Sequence, residues 1–73
     1  MCYFCVTYED GKYVECSHVT GASYNGYDST VKVEEANLST TLFPLKKTLW
    51  LHTSDGMYCI SGDGVRTIEV HKE

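Results

Sequence analysis

The chain has 73 residues, the size of one small domain, and 42% of them are hydrophobic, which is enough for a folded core. Ten acidic residues against six basic ones give a net charge of −4, which argues against nucleic-acid binding because phosphate contacts need clustered Lys and Arg. No stretch approaches the ~20 apolar residues of a membrane span and no signal peptide is visible, so we expect one domain over residues 1–73, in the cytoplasm with reduced thiols.

Turn dipeptides separate a series of segments rich in β-branched and aromatic residues. Asp-Gly occurs at positions 10–11, 55–56 and 63–64, and Asn-Gly occurs at 25–26, and such dipeptides between strand-like segments indicate β-hairpins. The expected strands are Cys2–Tyr8, Tyr13–Val19, Ser29–Glu34, Leu49–Thr53, Met57–Ser61 and Val65–His71. Helix is expected only at Glu34–Leu38, and Thr20–Asp28 is interpreted as the longest loop. The predicted fold class is all-β, a small antiparallel barrel or sandwich of five to six strands built from Asp-Gly hairpins, with at most one short helix.

The first hairpin permits two registers. A two-residue turn at Asp10-Gly11 would place Cys5 opposite Cys16, whereas a three-residue loop ending in a left-handed Gly11 would place Phe4 opposite Cys16. The second register separates apolar from polar side chains better, and burial is what determines register, so we favour it. Its apolar face consists of Cys2, Phe4, Val6, Val14, Cys16 and His18. Cys5 then points to the other face, without a cross-strand disulfide.

Cys2 and Cys5 have the CxxC spacing that zinc sites use. Further zinc ligands would be Cys16, His18 and Cys59. In an extended strand, however, residues three apart lie about 10 Å apart and point to opposite faces, so the two sulfurs cannot reach one ion. We therefore predict no metal site and interpret the cysteines as buried structural thiols, with a zinc-stabilised structural module as an alternative.

No catalytic or cofactor motif stands out in the sequence. The three histidines lie in predicted strands, where a buried or surface role is more usual than a catalytic one with a nucleophile and an orienting acid. The glycine-rich stretch Gly21–Gly26 lacks the Lys-Ser/Thr and the opening helix of a phosphate-binding loop. We therefore expect no catalytic residues and no cofactor, and hence not an enzyme.

Two features indicate a binding surface. The segment "TGASYNGYD" combines rigid tyrosines with small polar residues, which is the composition of antibody-like binding loops. Its candidate binding residues are Tyr24, Asn25, Tyr27 and Asp28. Trp50 and His52 are two residues apart and share one face of a predicted strand, so they are further candidates.

The leading hypothesis is a non-enzymatic binding protein that acts through surface contacts, as a small acidic inhibitor or adaptor of a basic protein partner. In size and charge the chain resembles the small acidic inhibitors that mobile elements encode. The alternatives are the zinc module and an oligomeric protein that binds a small molecule or nucleotide in pockets between subunits. Unpaired edge strands in so small a β domain favour a homodimer or a larger homo-oligomer.

Overall fold

The computed structural model describes all 73 residues and contains seven β-strands and one 3₁₀ helix. The strands are β1 (Cys2–Tyr8), β2 (Tyr13–Val19), β3 (Gly21–Asn25), β4 (Thr30–Glu34), β5 (Leu49–His52), β6 (Met57–Ile60) and β7 (Val65–Lys72). The 3₁₀ helix covers Glu35–Thr40. Sheet A has the strand order β2-β1-β7 and sheet B the order β4-β3-β5-β6, with antiparallel neighbours throughout. The all-β prediction is confirmed, but the chain has seven strands and not five to six, and they form two open sheets of three and four strands that do not close into a barrel.

The turn between β1 and β2 determines their register. The Tyr8 N–H donates to the Lys12 carbonyl oxygen at 2.8 Å, and the Gly11 N–H donates to the Tyr8 carbonyl oxygen at 3.0 Å. Gly11 has a φ of 89°, a left-handed conformation that glycine adopts without a steric penalty. The predicted register, in which Phe4 lies opposite Cys16, is confirmed.

The predicted apolar face of these two strands is wrong at His18. The register shifts beyond Phe4, so that Cys2 pairs with Val19. His18 has a φ of 58°, and one extra residue is accommodated here as in a β-bulge. Val19 is therefore buried in the core, while the His18 side chain is exposed. The His18 N–H donates to the Glu73 carboxylate at 2.7 Å, which ties the bulge to the end of the chain.

The interpretation of Thr20–Asp28 as a loop is wrong, because Gly21–Asn25 form β3. Thr20 is the single residue between β2 and β3, and its N–H donates to the His52 carbonyl oxygen at 2.8 Å. β3 lies between β4 and β5 and is paired along both edges. Gly, Ala, Ser and Asn are weak strand formers, so the neighbouring strands, which are distant in sequence, impose the extended conformation.

The Asp63-Gly64 dipeptide does not close a hairpin, contrary to its prediction. It lies between β6 of sheet B and β7 of sheet A, so residues 61–64 carry the chain from one sheet to the other. Gly64 has a φ of 75°, and its carbonyl oxygen accepts a 2.8 Å hydrogen bond from the Glu9 N–H. Gly62 is buried against the backbone of the segment that precedes β5. The crossing is thus held by contacts to two other connections.

The core lies between the two sheets. It consists of twelve buried residues: Cys2, Phe4, Val6, Cys16, Val19, Ala22, Val33, Leu38, Leu49, Leu51, Ile60 and Val65. The helix expected at Glu34–Leu38 is present as the 3₁₀ helix, which contacts strands of both sheets and buries Leu38 completely. Phe43, in the following connection, packs edge-on against Phe4 and Tyr24 with ring centroids 5.5 and 6.0 Å away. No helix in this structure has the length and apolar character needed to cross a membrane.

Candidate functional site

The outer face of sheet B carries the predicted tryptophan–histidine pair. The register places Ser23, Trp50 and Cys59 in one row across β3, β5 and β6, since paired residues project to the same side of a sheet. His52 and Met57 form the adjacent row. We refer to the surface formed by these five residues as the outer face of sheet B. These residues lie on the side of the sheet that points away from the core, which also carries Asn25 on β3 and the charged residues Lys32 and Glu34 on β4.

The alternation of β5 explains this arrangement. Leu49 and Leu51 point inward and are 3% and 0% exposed, so Trp50 and His52 must point outward. On β6, Met57 lies opposite His52 on the outward side and is 58% exposed. Apolar side chains therefore lie on both sides of sheet B, although only one side is covered by sheet A.

His52 has one side-chain hydrogen-bond partner. Its Nε2 atom lies 3.4 Å from the Ser23 hydroxyl, and Ser23 is only 8% exposed because it sits on the central strand. The ion pairs of the structure involve other groups, so no carboxylate orients the His52 imidazole. A serine–histidine pair of this kind offers hydrogen-bonding groups beside an indole, whereas hydrolytic catalysis needs a third, orienting group.

The predicted binding residues do not form one cluster. Trp50 and His52 lie on the outer face of sheet B, and Asn25, at the end of β3, projects to the same side as Ser23. Tyr27 and Asp28 lie in the turn between β3 and β4, where the Tyr27 side chain is fully exposed. Tyr24 lies in β3 and not in a loop. Its ring packs against Phe43, so alanine at this position would disturb the core packing.

Sequence reasoning missed three members of the outer face of sheet B. Ser23 lies in a segment whose composition is typical of a loop, and the adjacency of β3 and β5 joins segments far apart in the chain. Met57 and Cys59 lie in the segment Met57–Ile60, which is apolar at every position and therefore has no period-two signal to show which residues face outward. Which side of β6 faces outward depended on its pairing with β5.

The four cysteines occupy three environments, and all four are free thiols. Cys2 and Cys16 are buried, and burial raises the pKa of the Cys16 thiol above its usual value. Cys5 is half-buried on the side of sheet A that points away from the core, which we call the outer face of sheet A. Cys59 is exposed on sheet B. Strand alternation thus separates Cys2 from Cys5, as predicted, and no three His, Cys, Asp or Glu side chains converge on a position for a metal ion.

Thiol labelling of the dilute folded protein is expected to modify Cys59 first, Cys5 more slowly, and Cys2 and Cys16 only after unfolding. The reason is access, because an alkylating reagent must reach the thiolate. Timed iodoacetamide treatment followed by peptide mass spectrometry measures the order, and labelling in denaturant, where all four should react, is the control. Reaction of Cys2 or Cys16 at the rate of Cys59 would contradict their inward orientation.

The outer face of sheet A is polar and acidic. Cys5 lies in a row between Glu15 and Glu69. The Tyr3 hydroxyl donates to the Glu15 carboxylate, and this hydrogen bond is the main reason that the pKa of Tyr3 is raised above its usual value. His71 lies 3.4 Å from Glu69. These polar contacts satisfy one another at the surface. The large exposed side chain of this face is Tyr13, which lies opposite Thr7 and is 62% exposed.

A groove of about 490 Å³ lies where the β1–β2 turn meets the β6–β7 connection. Its lining consists of Tyr8, Glu9, Asp10, Lys12, Tyr13, Val14, Asp63 and Gly64. Three carboxylates and one ammonium group therefore surround two tyrosine rings. The sequence did not reveal this acidic groove, because the hydrogen bond that joins Glu9 to Gly64 connects residues from opposite ends of the chain.

Comparisons with known proteins identify no relative: no protein-family model matches the chain, and no curated protein or solved structure is significantly similar to it.

Proposed function

We propose that the chain is a non-enzymatic protein-binding module whose contact surface is the outer face of sheet B. The observation that carries this proposal is the exposure of apolar side chains around Trp50, the only tryptophan of the chain. Met57 beside it is 58% exposed, and Cys59 is also exposed. Tryptophan and methionine are enriched at the centres of protein interfaces, where a few large side chains supply most of the binding energy.

The shape of this surface favours a macromolecule over a small molecule as the partner. Trp50 and His52 project from an open sheet, and the three grooves of the structure are lined by other residues. Small ligands are usually held in concave sites that bury most of their surface. A protein partner can instead cover a broad, open face, with Trp50 as its central anchor.

The charge of the chain supports a basic partner. The net charge is −4, and Glu9, Asp10 and Asp63 concentrate negative charge around the acidic groove. Such a field speeds the approach of a positively charged protein and favours it over acidic competitors. A small acidic inhibitor or adaptor, of the kind that mobile elements encode, would act in this way. The four free thiols fit a reducing cytoplasm.

The Trp50→Ala variant tests the proposal. We expect it to fold and to bind the partner roughly 30-fold more weakly, the effect of losing an interface residue worth about 2 kcal/mol. Affinity capture from cells with immobilised wild type, followed by mass spectrometry, identifies the partner, and calorimetry with the purified partner measures the affinity. Binding should also weaken as salt is raised, because a basic partner is attracted by the acidic surface.

Thr67→Ala is the matched control, since Thr67 is exposed on the outer face of sheet A. It should bind the partner as the wild type does. A folded Trp50→Ala variant with unchanged affinity would refute the assignment of the surface. If native mass spectrometry found a retained small molecule and the capture found no protein, the small-ligand alternative would replace the proposal.

A further inference from the structure

β6 is the one edge strand without a charged residue. Four strands have a free edge, namely β2 and β7 in sheet A and β4 and β6 in sheet B. β2 carries Glu15, β4 carries Lys32 and β7 carries Arg66, and such charges discourage the pairing of edges between molecules. β6, Met57–Ile60, has no charge, no proline and no bulge. Its edge is therefore open to another strand.

The free backbone groups of β6 belong to Met57 and Cys59. Hydrogen-bonded and non-hydrogen-bonded pairs alternate along an antiparallel ladder. The Thr53 N–H donates to the Gly56 carbonyl oxygen at 2.9 Å, so the next residue of β6 that bonds to β5 is Tyr58. The N–H and C=O groups of the residues on either side of Tyr58 consequently point to the free edge.

A second contact supports this assignment. His52 lies opposite Met57, and its carbonyl oxygen accepts a 2.8 Å hydrogen bond from the Thr20 N–H. Thr20 lies at the start of β3, on the other side of β5. The His52 carbonyl therefore points away from β6, and the Met57 backbone has no bonding partner on β5.

We propose that β6 pairs antiparallel with β6 of a second copy of this chain, which joins the two B sheets across a two-fold axis. The occupant of the edge is a strand, because only a strand presents N–H and C=O groups at the matching spacing. It is a second copy because the uncharged sequence of β6 is complementary to itself, as a two-fold interface requires. The dimer goes beyond the proposed function and does not depend on it.

The pairing is centred on Tyr58. Met57 of each copy then lies opposite Cys59 of the other, and each such pair exchanges two backbone hydrogen bonds. Tyr58 lies opposite Tyr58 of the second copy in a non-hydrogen-bonded pair, where side chains approach closely and aromatic contacts are stabilising. The outer faces of the two B sheets become continuous, with one Trp50 on each side of the axis.

The charges predict how the dimer responds to salt. Each copy has a net charge of −4, so the two copies repel each other at long range. Salt screens this repulsion, and the dimer should become tighter as the salt concentration rises. Binding of a basic partner should respond in the opposite direction, which separates the two associations.

Sedimentation equilibrium of the purified full chain over a concentration series tests the dimer. The wild type should show a monomer–dimer equilibrium. In Met57→Lys the dissociation constant of the dimer should be roughly tenfold higher, because the ammonium group lies at the pairing edge. Cys59→Pro should weaken it similarly, since proline removes an N–H that points to the free edge and leaves the β5 ladder intact. Thr30→Lys adds the same charge at the opposite edge of sheet B and should leave the dimer unchanged.

Disulfide formation tests the register. In a Cys59→Ser background, Tyr58→Cys should form an intermolecular disulfide on mild oxidation, because Cα atoms of a non-hydrogen-bonded pair lie about 4.5 Å apart. Cys59 of the wild type is offset from its counterpart and should not form one. A Cys59 disulfide in the wild type, in place of the Tyr58→Cys disulfide, would overturn the register.

Two results would overturn the dimer itself. One is a wild type that remains monomeric at every concentration, and the other is a dimer that Met57→Lys and Thr30→Lys affect equally. Trp50→Ala should dimerise as the wild type does, since Trp50 lies on β5 and not at the free edge. Because sedimentation is measured without a partner, failure of the dimer and failure of the proposed function are distinguishable.

Discussion

Gly62→Ala is expected to destabilise the protein by about 3 kcal/mol or more, because the new methyl group has no space. A Cβ atom at Gly62 would lie 2.5 Å from the Lys46 carbonyl carbon and 2.5 Å from the Lys47 nitrogen. Both are backbone atoms, so no side-chain rotation relieves the clash and the crossing between the sheets must shift. A chain of this length has about 4–11 kcal/mol of stability in total, so Tm should fall by roughly 12 °C or more.

Gly56→Ala is the matched control for this prediction. Gly56 also lies in a turn beside β6, but no atom lies within 4 Å of the position that its Cβ would take. Its φ is not left-handed, so alanine should leave stability unchanged or raise it by up to about 1 kcal/mol. Urea unfolding followed by far-UV circular dichroism and by Trp50 fluorescence measures both variants. Equal free energies of unfolding for Gly62→Ala and Gly56→Ala would contradict the prediction, because the backbone around Gly62 would then accommodate a methyl group without cost.

Phe4→Ala is expected to lower the free energy of unfolding by about 3–5 kcal/mol, a large part of the total. Phe4 is fully buried on the central strand of sheet A, and its ring meets the Phe43 ring edge-on at 5.5 Å. Removing the Phe4 ring leaves a cavity between the two sheets. It also removes the aromatic contact that holds Phe43, and with it the connection between the 3₁₀ helix and β5, on the core. The same unfolding experiment measures the loss.

Phe4→Leu gives the graded comparison, because it retains most of the buried volume and should cost about 1–2 kcal/mol. It remains measurable if Phe4→Ala does not fold. Cys5→Ala is the control on the same strand, since Cys5 points to the outer face of sheet A and the change should cost below about 1 kcal/mol. Similar losses for Phe4→Ala and Cys5→Ala would contradict the assignment of the two faces of β1.

Local pattern was sufficient to predict most of the strands. β1 and β2 have the predicted bounds, and β4 to β7 each differ from their predictions by one residue at one end. The register of β1 and β2 could be predicted because the burial of Phe4 and a left-handed Gly11 both require the same alignment. The bulge at His18 could not be predicted, since it depends on where the chain leaves sheet A after β2 and enters sheet B as β3.

The candidate site was predictable only in part. Trp50 and His52 share a face because residues two apart on a strand always do. Their neighbours on that face were not accessible from the sequence. Ser23 lies in a segment of weak strand formers that becomes a strand only between β4 and β5, and the same pairing turned Tyr24 from an expected loop anchor into a residue packed against the core.

The sequence by itself determined the class of the fold, because period-two alternation and turn dipeptides act over a few residues and do not depend on distant neighbours. It also determined that Cys2 and Cys5 point to opposite faces. Only the tertiary structure decided which strands are neighbours, that β3 exists, that Asp63-Gly64 crosses between sheets, and that β6 is an edge. These properties follow from burying one continuous core between two sheets, and the free energy of that burial is shared among residues from the whole length of the chain.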